Sequence, residues 1–201
     1  MEIIIHRRNS LEELLATDER YGIEVDIRSE GGDLIIHHDP FVVGESFDVW
    51  INAYRHGTLI LNVKEEGLEG RLINVLRERG ISNYFFLDQS FPFLLKWSNK
   101  GEHRSAVRIS EFESIETALA LAGMVDWVWV DCFTHFPIDE CGARKLRDSG
   151  FKICVVSPEL HGHDAGVEIP KLATLLREAN IVADAVCTKH PDLWDVEDSS
   201  Q

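Results

Sequence analysis

Short apolar segments alternate with longer amphipathic segments along the whole chain. The short segments are rich in Ile, Val, Leu and aromatic residues, a composition typical of buried strands. Eight of them are predicted as strands, at residues 3–5, 23–27, 59–63, 84–87, 106–109, 127–131, 153–156 and 185–188.

Apolar residues recur at helical spacing between several of these strands, which predicts amphipathic helices. Ser110 and Glu113 predict a capping box in front of one helix, and Gly123 predicts its C-cap. The apolar positions of the helices are Leu11, Leu14 and Leu15; Leu68, Leu72 and Leu76; Ile115, Leu119 and Ala122; and Leu172, Leu175, Leu176 and Ala179.

This alternation of eight strands with helices predicts an α/β fold, a compact (β/α)8 TIM barrel. An open doubly wound sheet has the same alternation and is the alternative. The first strand is not followed by G-x-G-x-x-G, and polar residues end nearly every strand. The second observation favours the barrel, in which functional groups come from the ends of several strands.

The pattern of residues 23–39 predicts a hairpin that brings several polar side chains close together. Glu24 and Asp26 share one face of a strand, and the adjacent Gly31 and Gly32 supply a turn. A turn centred on the two glycines returns the chain to His37 and His38 at the level of Asp26 and Val25. Two carboxylates beside a histidine suit a hard cation next to a proton-transfer group.

Composition limits the possible functions. The chain has 201 residues, 44% of them apolar, which predicts a single domain over residues 1–194 and an acidic, disordered tail over residues 195–201. Its net charge of −15 argues against nucleic-acid binding and does not exclude a small phosphorylated substrate.

The expected location is the cytoplasm. Four cysteines, Cys132, Cys141, Cys154 and Cys187, show no C-x-x-C pairing, which is typical of thiols in a reducing compartment. The first residues contain only three consecutive isoleucines, too few for a signal peptide or a membrane span.

Polar residues, and Trp129, lie near or directly after the ends of the predicted strands and would meet at the carboxyl end of a barrel. They are His6 and Arg7; Glu24 and Asp26; Asn62 and Lys64; Asp88, Gln89 and Ser90; Arg108; Trp129 and Asp131; Ser157 and Glu159; and Lys189. In these motifs, IIHRR, IEVDIR, GGDLIIHHDP and LILNVK, the chain resembles the glycerophosphodiester phosphodiesterase family of the phospholipase-C-like barrels. The resemblance extends to ADAVCTKHPDLW at the last strand.

The resemblance implies a (β/α)8 barrel that hydrolyses a small phosphodiester with a divalent cation, Mg²⁺ or Ca²⁺. His6 and His38 would be the general acid and base, in either order. Arg7 and Lys64 would neutralise the phosphate. Glu24, Asp26 and Asn62 would hold the metal.

The chain departs from the family pattern at two places. Asn62 stands where the family has a glutamate, which removes one negative charge from the metal site. The link from Asp39 to Thr58 is short where the family commonly has an insertion that covers the substrate.

Several side chains have two interpretations. His38 is preferred to His37 because the family motif places the histidine directly before Asp39, and Asp39 is expected to order the turn at Pro40. Trp129 is a possible apolar wall for the alcohol part of the substrate, and Asp131 either contacts a substrate hydroxyl or forms a structural salt bridge. His161 and His163 are expected in a rim loop rather than at a metal.

Two other functions remain open from the residues alone. Because Asn62 replaces a charged metal ligand, the chain could be a catalytically inactive barrel that binds a phosphorylated ligand or partner. The same scaffold also suits a lyase that releases a cyclic phosphate. Retention of both His6 and His38 with Glu24 and Asp26 argues against the inactive barrel, because a binding protein does not need two proton-transfer groups.

Overall fold

The computed structural model describes residues 1–195, and the remainder of the predicted tail lies outside the described residues. All eight predicted strands are present within this range, together with two further strands. The strands are β1 (Glu2–Ile5), β2 (Gly22–Glu30), β3 (Asp33–Ile36), β4 (Glu45–Ser46), β5 (Leu59–Val63), β6 (Tyr84–Leu87), β7 (Ala106–Ile109), β8 (Trp127–Val130), β9 (Lys152–Val156) and β10 (Ala185–Thr188).

Helices separate most of these strands. The α-helices are α1 (Leu11–Ala16), α2 (Phe47–Ala53), α3 (Glu69–Glu78), α4 (Phe91–Ser98), α5 (Ile115–Leu119), α6 (Glu140–Asp148), α7 (Ala165–Glu178) and α8 (Pro191–Trp194), and a 3-10 helix spans Pro158–His161. No helix in residues 1–195 is both long enough and apolar enough to cross a membrane.

A helix cap explains where α1 begins, whereas the cap predicted for α5 is not formed. Ser10 and Glu13 form a reciprocal capping box at α1, with hydrogen bonds of 3.1 and 3.0 Å. The capping box predicted at Ser110 and Glu113 is wrong in its role, because α5 begins only after Ser114. The backbones of Ser110 and Glu113 instead hydrogen-bond to each other in both directions.

The chain divides into two compact units. The N-terminal unit is His6–Ala106. The C-terminal unit combines Met1–Ile5 with residues 107–195 of the described chain.

In the N-terminal unit, β2 pairs antiparallel with β3 and parallel with β5, which in turn pairs with β6. The predicted hairpin is confirmed: Gly31 and Gly32 adopt φ of 57° and 94° in the turn, a conformation that glycine adopts without strain. Ile27 lies opposite Ile36, so the register matches the prediction.

In the C-terminal unit the strand order is β7, β8, β9, β10, β1, and the pairs β8–β9, β9–β10 and β10–β1 are parallel. Their apolar side chains are almost fully buried, including Val128, Ile153 and Val186. The four cysteines are free thiols.

Candidate active site in the N-terminal unit

Three polar side chains lie buried on neighbouring strands of the N-terminal unit. Glu24 and Asp26 are on β2, and Asn62 on β5 is the register partner of Asp26. Their exposed fractions are 1%, 0% and 6%. Because side chains alternate along a strand, all three project from one face of the sheet, while Val25 and Ile27 project from the other.

Glu24 accepts hydrogen bonds from two directions. The backbone N–H of Arg7 donates to Oε2 over 2.8 Å, and Asn62 Nδ2 donates to Oε1 over 2.9 Å. The Nε2 atom of His6 is 3.8 Å from Oε2. Burial, helped by the charge of Asp26, raises the pKa of Glu24 to about 7, although both hydrogen bonds and Lys64 oppose the shift.

Asp26 is surrounded by cations. Arg7 Nε is 3.4 Å from Oδ2, and Lys64 Nζ is 3.3 Å from Oδ1. Asn9 holds the residue from both sides, since its Nδ2 donates to Oδ2 over 2.8 Å and its Oδ1 accepts from the Asp26 N–H over 3.0 Å. Two positive side chains therefore balance the two buried carboxylates.

Arg7 has an unusual backbone conformation. Its φ is 52°, in the left-handed region that costs a non-glycine residue about 1 kcal/mol. This conformation accompanies the hydrogen bond from its N–H to the Glu24 carboxylate. Strain of this kind persists where the surroundings hold the backbone in place, often at functional sites.

His38 is held by its neighbour. Its Nδ1 lies 2.8 Å from Asp39 Oδ1, and the ring is 41% exposed. This hydrogen bond to His38 lowers the pKa of Asp39. The positive charges of His37 and Arg7 lower the pKa further. Asp39 thus fixes the ring of His38 as well as lying in the turn, and it leaves the Nε2 edge of His38 pointing away from the carboxylate.

Arg28 connects two of the predicted site residues through their backbones. Its Nε and Nη2 donate to the His38 carbonyl over 3.0 and 2.8 Å, and its Nη1 donates to the Lys64 carbonyl over 3.3 Å. The guanidinium fork suits this arrangement because its donors point in fixed directions. Neither Arg28 nor Asn9 was predicted from the sequence as a site residue. The only sequence signal was their position beside the motifs that contain Asp26 and His6.

The oxygen atoms of this cluster suit a hard divalent cation. Asn62 Oδ1 is buried without a hydrogen-bond partner, and Asp26 Oδ1 accepts no hydrogen bond although Lys64 lies near it. Carboxylate and amide oxygens are the ligands preferred by Mg²⁺ and Ca²⁺. Residues 1–195 contain no cluster of three His, Cys, Asp or Glu with metal-binding geometry, and the predicted third ligand here is an amide.

The remaining predicted contacts lie in the C-terminal unit. Trp129 is a buried residue of β8. Asp131, directly after β8, is buried in an ion-pair network: Arg108 Nη1 contacts Oδ2, and His161 Nε2 is 2.9 Å from Oδ1. His161 belongs to the 3-10 helix rather than to a loop, and His163 contacts the Phe133 carbonyl over 2.9 Å.

The similarity of this chain to known proteins lies in its structure and not in its sequence. No protein-family model and no curated protein match the sequence. A glycerophosphodiester phosphodiesterase from Agrobacterium tumefaciens str. C58 is similar over 96% of this chain and 98% of that chain, with a TM-score of 0.66 and 15% identity.

Two further structures are similar. A glycerophosphoryl diester phosphodiesterase from Parabacteroides distasonis ATCC 8503 matches over 96% of this chain and 84% of that chain, with a TM-score of 0.66 and 10% identity. A mutant tryptophan synthase alpha-subunit from Pyrococcus furiosus matches over 93% and 86%, with a TM-score of 0.52 and 15% identity. The chain thus has the predicted α/β fold, the (β/α)8 barrel class of the glycerophosphodiester phosphodiesterase structures.

Proposed function

We propose that the protein is a metal-dependent phosphodiesterase that hydrolyses a small glycerophosphodiester-like substrate. The observation that carries the proposal is the buried Glu24, Asp26 and Asn62 cluster, with His6 beside Glu24 and two cations beside Asp26. The similarity in fold to glycerophosphodiester phosphodiesterases supports the same reaction class.

Hydrolysis of a phosphodiester requires charge neutralisation at the non-bridging oxygens. Arg7 and Lys64 are the cations for this role, and a guanidinium can bind two phosphate oxygens at once. A divalent cation held by Glu24, Asp26 and Asn62 would supply further positive charge at the same oxygens. Substrate binding would then draw Arg7 and Lys64 away from full pairing with Asp26.

His6 and His38 are the proposed proton-transfer groups. One histidine takes a proton as an oxygen nucleophile bonds to phosphorus, and the other gives a proton to the alcohol oxygen as its bond to phosphorus breaks. The nucleophile is water, or a neighbouring substrate hydroxyl that first gives a cyclic phosphate. Asp39 and Arg28 support His38 by fixing its ring and its backbone, respectively.

Two observations favour a second candidate, a barrel that binds a phosphorylated ligand without cleaving it. Asn62 contributes no negative charge, and Lys64 is already shared between Asp26 and Asp88, 3.3 Å from each. Such a protein would bind the same anions and yield no product.

Phosphorus NMR on a panel of glycerophosphodiesters, with and without a chelator, tests these alternatives. The hydrolase yields a phosphomonoester, and the chelator abolishes its formation. A cyclic phosphate as the end product would identify the lyase. Absence of any product, with line broadening of a bound phosphodiester, would support the binding protein and overturn the proposal.

A cytoplasmic location is also proposed. Its support is that the cysteines are free, with Cys132, Cys154 and Cys187 buried as small apolar side chains and Cys141 exposed.

A further inference from the structure

Lys64 lies between two carboxylates of the N-terminal unit. Its Nζ is 3.3 Å from Asp26 Oδ1 and 3.3 Å from Asp88 Oδ2. The two contacts differ in kind: Lys64 Nζ donates a hydrogen bond to Asp88, whereas Asp26 Oδ1 is buried and accepts no hydrogen bond. The N–H donor of Lys64 is therefore directed at Asp88, and its contact with Asp26 is purely electrostatic.

The backbone of Lys64 is fixed on both sides. Its N–H donates to the Ile27 carbonyl over 3.0 Å, and its carbonyl accepts from Arg28 Nη1 over 3.3 Å. Asp26 is fixed as well, by its two hydrogen bonds with Asn9. The side chain of Lys64 is long and flexible, so its ammonium can leave Asp26 by rotation of the side chain alone.

Asp88 has an unusual backbone conformation directly after β6. Its φ is 60°, in the left-handed region that most residues other than glycine avoid and that aspartate tolerates better than most. Such conformations often occur at functional sites. The side chain of Asp88 is 29% exposed, against 15% for Lys64 and 0% for Asp26. Asp88 therefore offers Lys64 an acceptor on the more solvated side of the cluster.

A divalent cation and the Lys64 ammonium compete for one oxygen. Among Glu24, Asp26 and Asn62, the oxygens without a hydrogen-bond partner are Asp26 Oδ1 and Asn62 Oδ1, and Lys64 Nζ lies beside the first. Two positive groups repel each other strongly at one buried carboxylate oxygen. The ammonium must move away from Asp26 as the cation binds, and a largely buried ammonium then needs another partner.

We propose that Asp88 is a positioning residue, which takes over the Lys64 ammonium from Asp26 when a divalent cation binds at Asp26 and Asn62. The inference rests on the proposed function, because it concerns the cation of that reaction. Asp88 lies outside the motifs that carry the family resemblance. Without Asp88, Lys64 keeps Asp26 as its carboxylate partner and opposes the cation.

Isothermal titration calorimetry with Mg²⁺ or Ca²⁺ alone tests this role without turnover. The measured quantity is the Kd of Asp88→Gly divided by the Kd of Asp88→Asn. Both variants remove the same charge, so the long-range attraction of the cation cancels in the ratio, and both new side chains suit a φ of 60°. Asparagine still offers Lys64 an acceptor, whereas glycine does not, so we expect a ratio of roughly 10.

The same ratio in a Lys64→Met background shows whether Asp88 acts through Lys64. Methionine has no ammonium to hold, so the ratio should fall to about 1. A ratio that stays high would mean that the side chain after β6 contacts the cation itself. Equal Kd values for Asp88→Gly and Asp88→Asn with Lys64 present would mean that Asp88 does not hold the ammonium. Either result, or no binding of either ion by the wild-type chain, overturns the inference.

Asp88→Ala is a second variant in case Asp88→Gly folds poorly, and its Kd should also exceed that of Asp88→Asn. The matched controls are Asp33→Gly and Asp33→Asn. Asp33 is an exposed acid of the same unit whose Oδ1 is 3.5 Å from Arg71 Nη2, so both control variants should keep the wild-type Kd.

The working enzyme gives an independent measurement. Asp88→Gly should need roughly 10-fold more Mg²⁺ than Asp88→Asn for its half-maximal rate. Failure of the inference alone would leave hydrolysis intact, with equal Mg²⁺ requirements in the two variants. Failure of the proposed function has a different result: phosphorus NMR shows no product, whereas the ratio of Kd values from calorimetry remains high.

Discussion

Asn62 donates a hydrogen bond from Nδ2 to Glu24 Oε1 over 2.9 Å, at the strand position where the resemblance expects a glutamate. The amide avoids the repulsion that a third buried carboxylate would cause beside Glu24 and Asp26. Its nitrogen satisfies Glu24, and its Oδ1 remains buried without a partner. The substitution therefore preserves an oxygen ligand while lowering the negative charge of the cluster.

Restoring a carboxylate at this position should strengthen cation binding. We expect Asn62→Glu to tighten binding of Mg²⁺ and Ca²⁺ by roughly 10-fold or more, because an added charge in a buried site interacts strongly with a divalent ion. Isothermal titration calorimetry measures the change, with Asn74→Glu on the exposed face of α3 as the control. Unchanged affinity for both ions would mean that Asn62 does not face the metal.

Removal of either proposed proton-transfer group should slow the reaction. His6→Ala and His38→Ala are each expected to lower kcat by roughly 10²-fold, the usual contribution of general acid–base catalysis. His103→Ala removes an exposed imidazole of the same unit and should retain the wild-type rate. Wild-type turnover in both active-site variants, on a substrate identified by phosphorus NMR, would show that these histidines do not transfer protons.

Glu24 should make the metal-free protein more stable in mild acid. Its pKa in the folded protein is about 7, against an ordinary value of 4.5, because burial and Asp26 disfavour its ionised form. Between these values the folded protein binds more protons than the unfolded chain, so this contribution to stability is complete below about pH 4.5 and is lost as the pH rises through about 7.

Urea unfolding in the presence of a chelator measures this effect. Glu24→Gln imitates the protonated acid, so the variant should lose this part of the pH dependence and be more stable than wild type above about pH 7. Parallel stability curves for the two proteins from acid to neutral pH would refute the assigned shift. The matched control is Glu78→Gln, which changes an exposed acid and should follow the wild-type curve.

Arg28 should act as a positioning residue. Arg28→Lys keeps the charge but loses the fork that binds the carbonyls of His38 and Lys64, so kcat should fall roughly 10-fold with a smaller change in KM. Arg77→Lys on α3 is the control, and thermal unfolding monitors the fold. If Arg28→Lys has the kcat of wild type, the two backbone contacts do not contribute to catalysis.

Most strands were predictable because they are runs of apolar residues. The hairpin was predictable because Gly31 and Gly32 separate a strand of alternating apolar and acidic residues from an apolar run. Short helices were harder. The helix α4, for example, has apolar residues on most sides and lacks a clear amphipathic period. Asn9 and Arg28 were not predictable as site residues, because their roles depend on contacts with Asp26 and with the backbone carbonyls of His38 and Lys64, residues distant in the sequence.

The length of the turn between β2 and β3 determines which residues of the two strands lie opposite each other. Asp26 and His37 are opposite each other because Ile27 pairs with Ile36, and the number of residues between them sets that pairing. Deleting one residue at Gly31 or Gly32 would slip the register and turn the side chains of β3 to the other face of the sheet, which would also displace the segment of His37 and His38 that follows β3. Insertions after Pro40 leave this pairing untouched. Relatives of this protein can therefore vary in the length of the segment after Pro40, whereas the length of the turn must stay constant for His38 to keep its place.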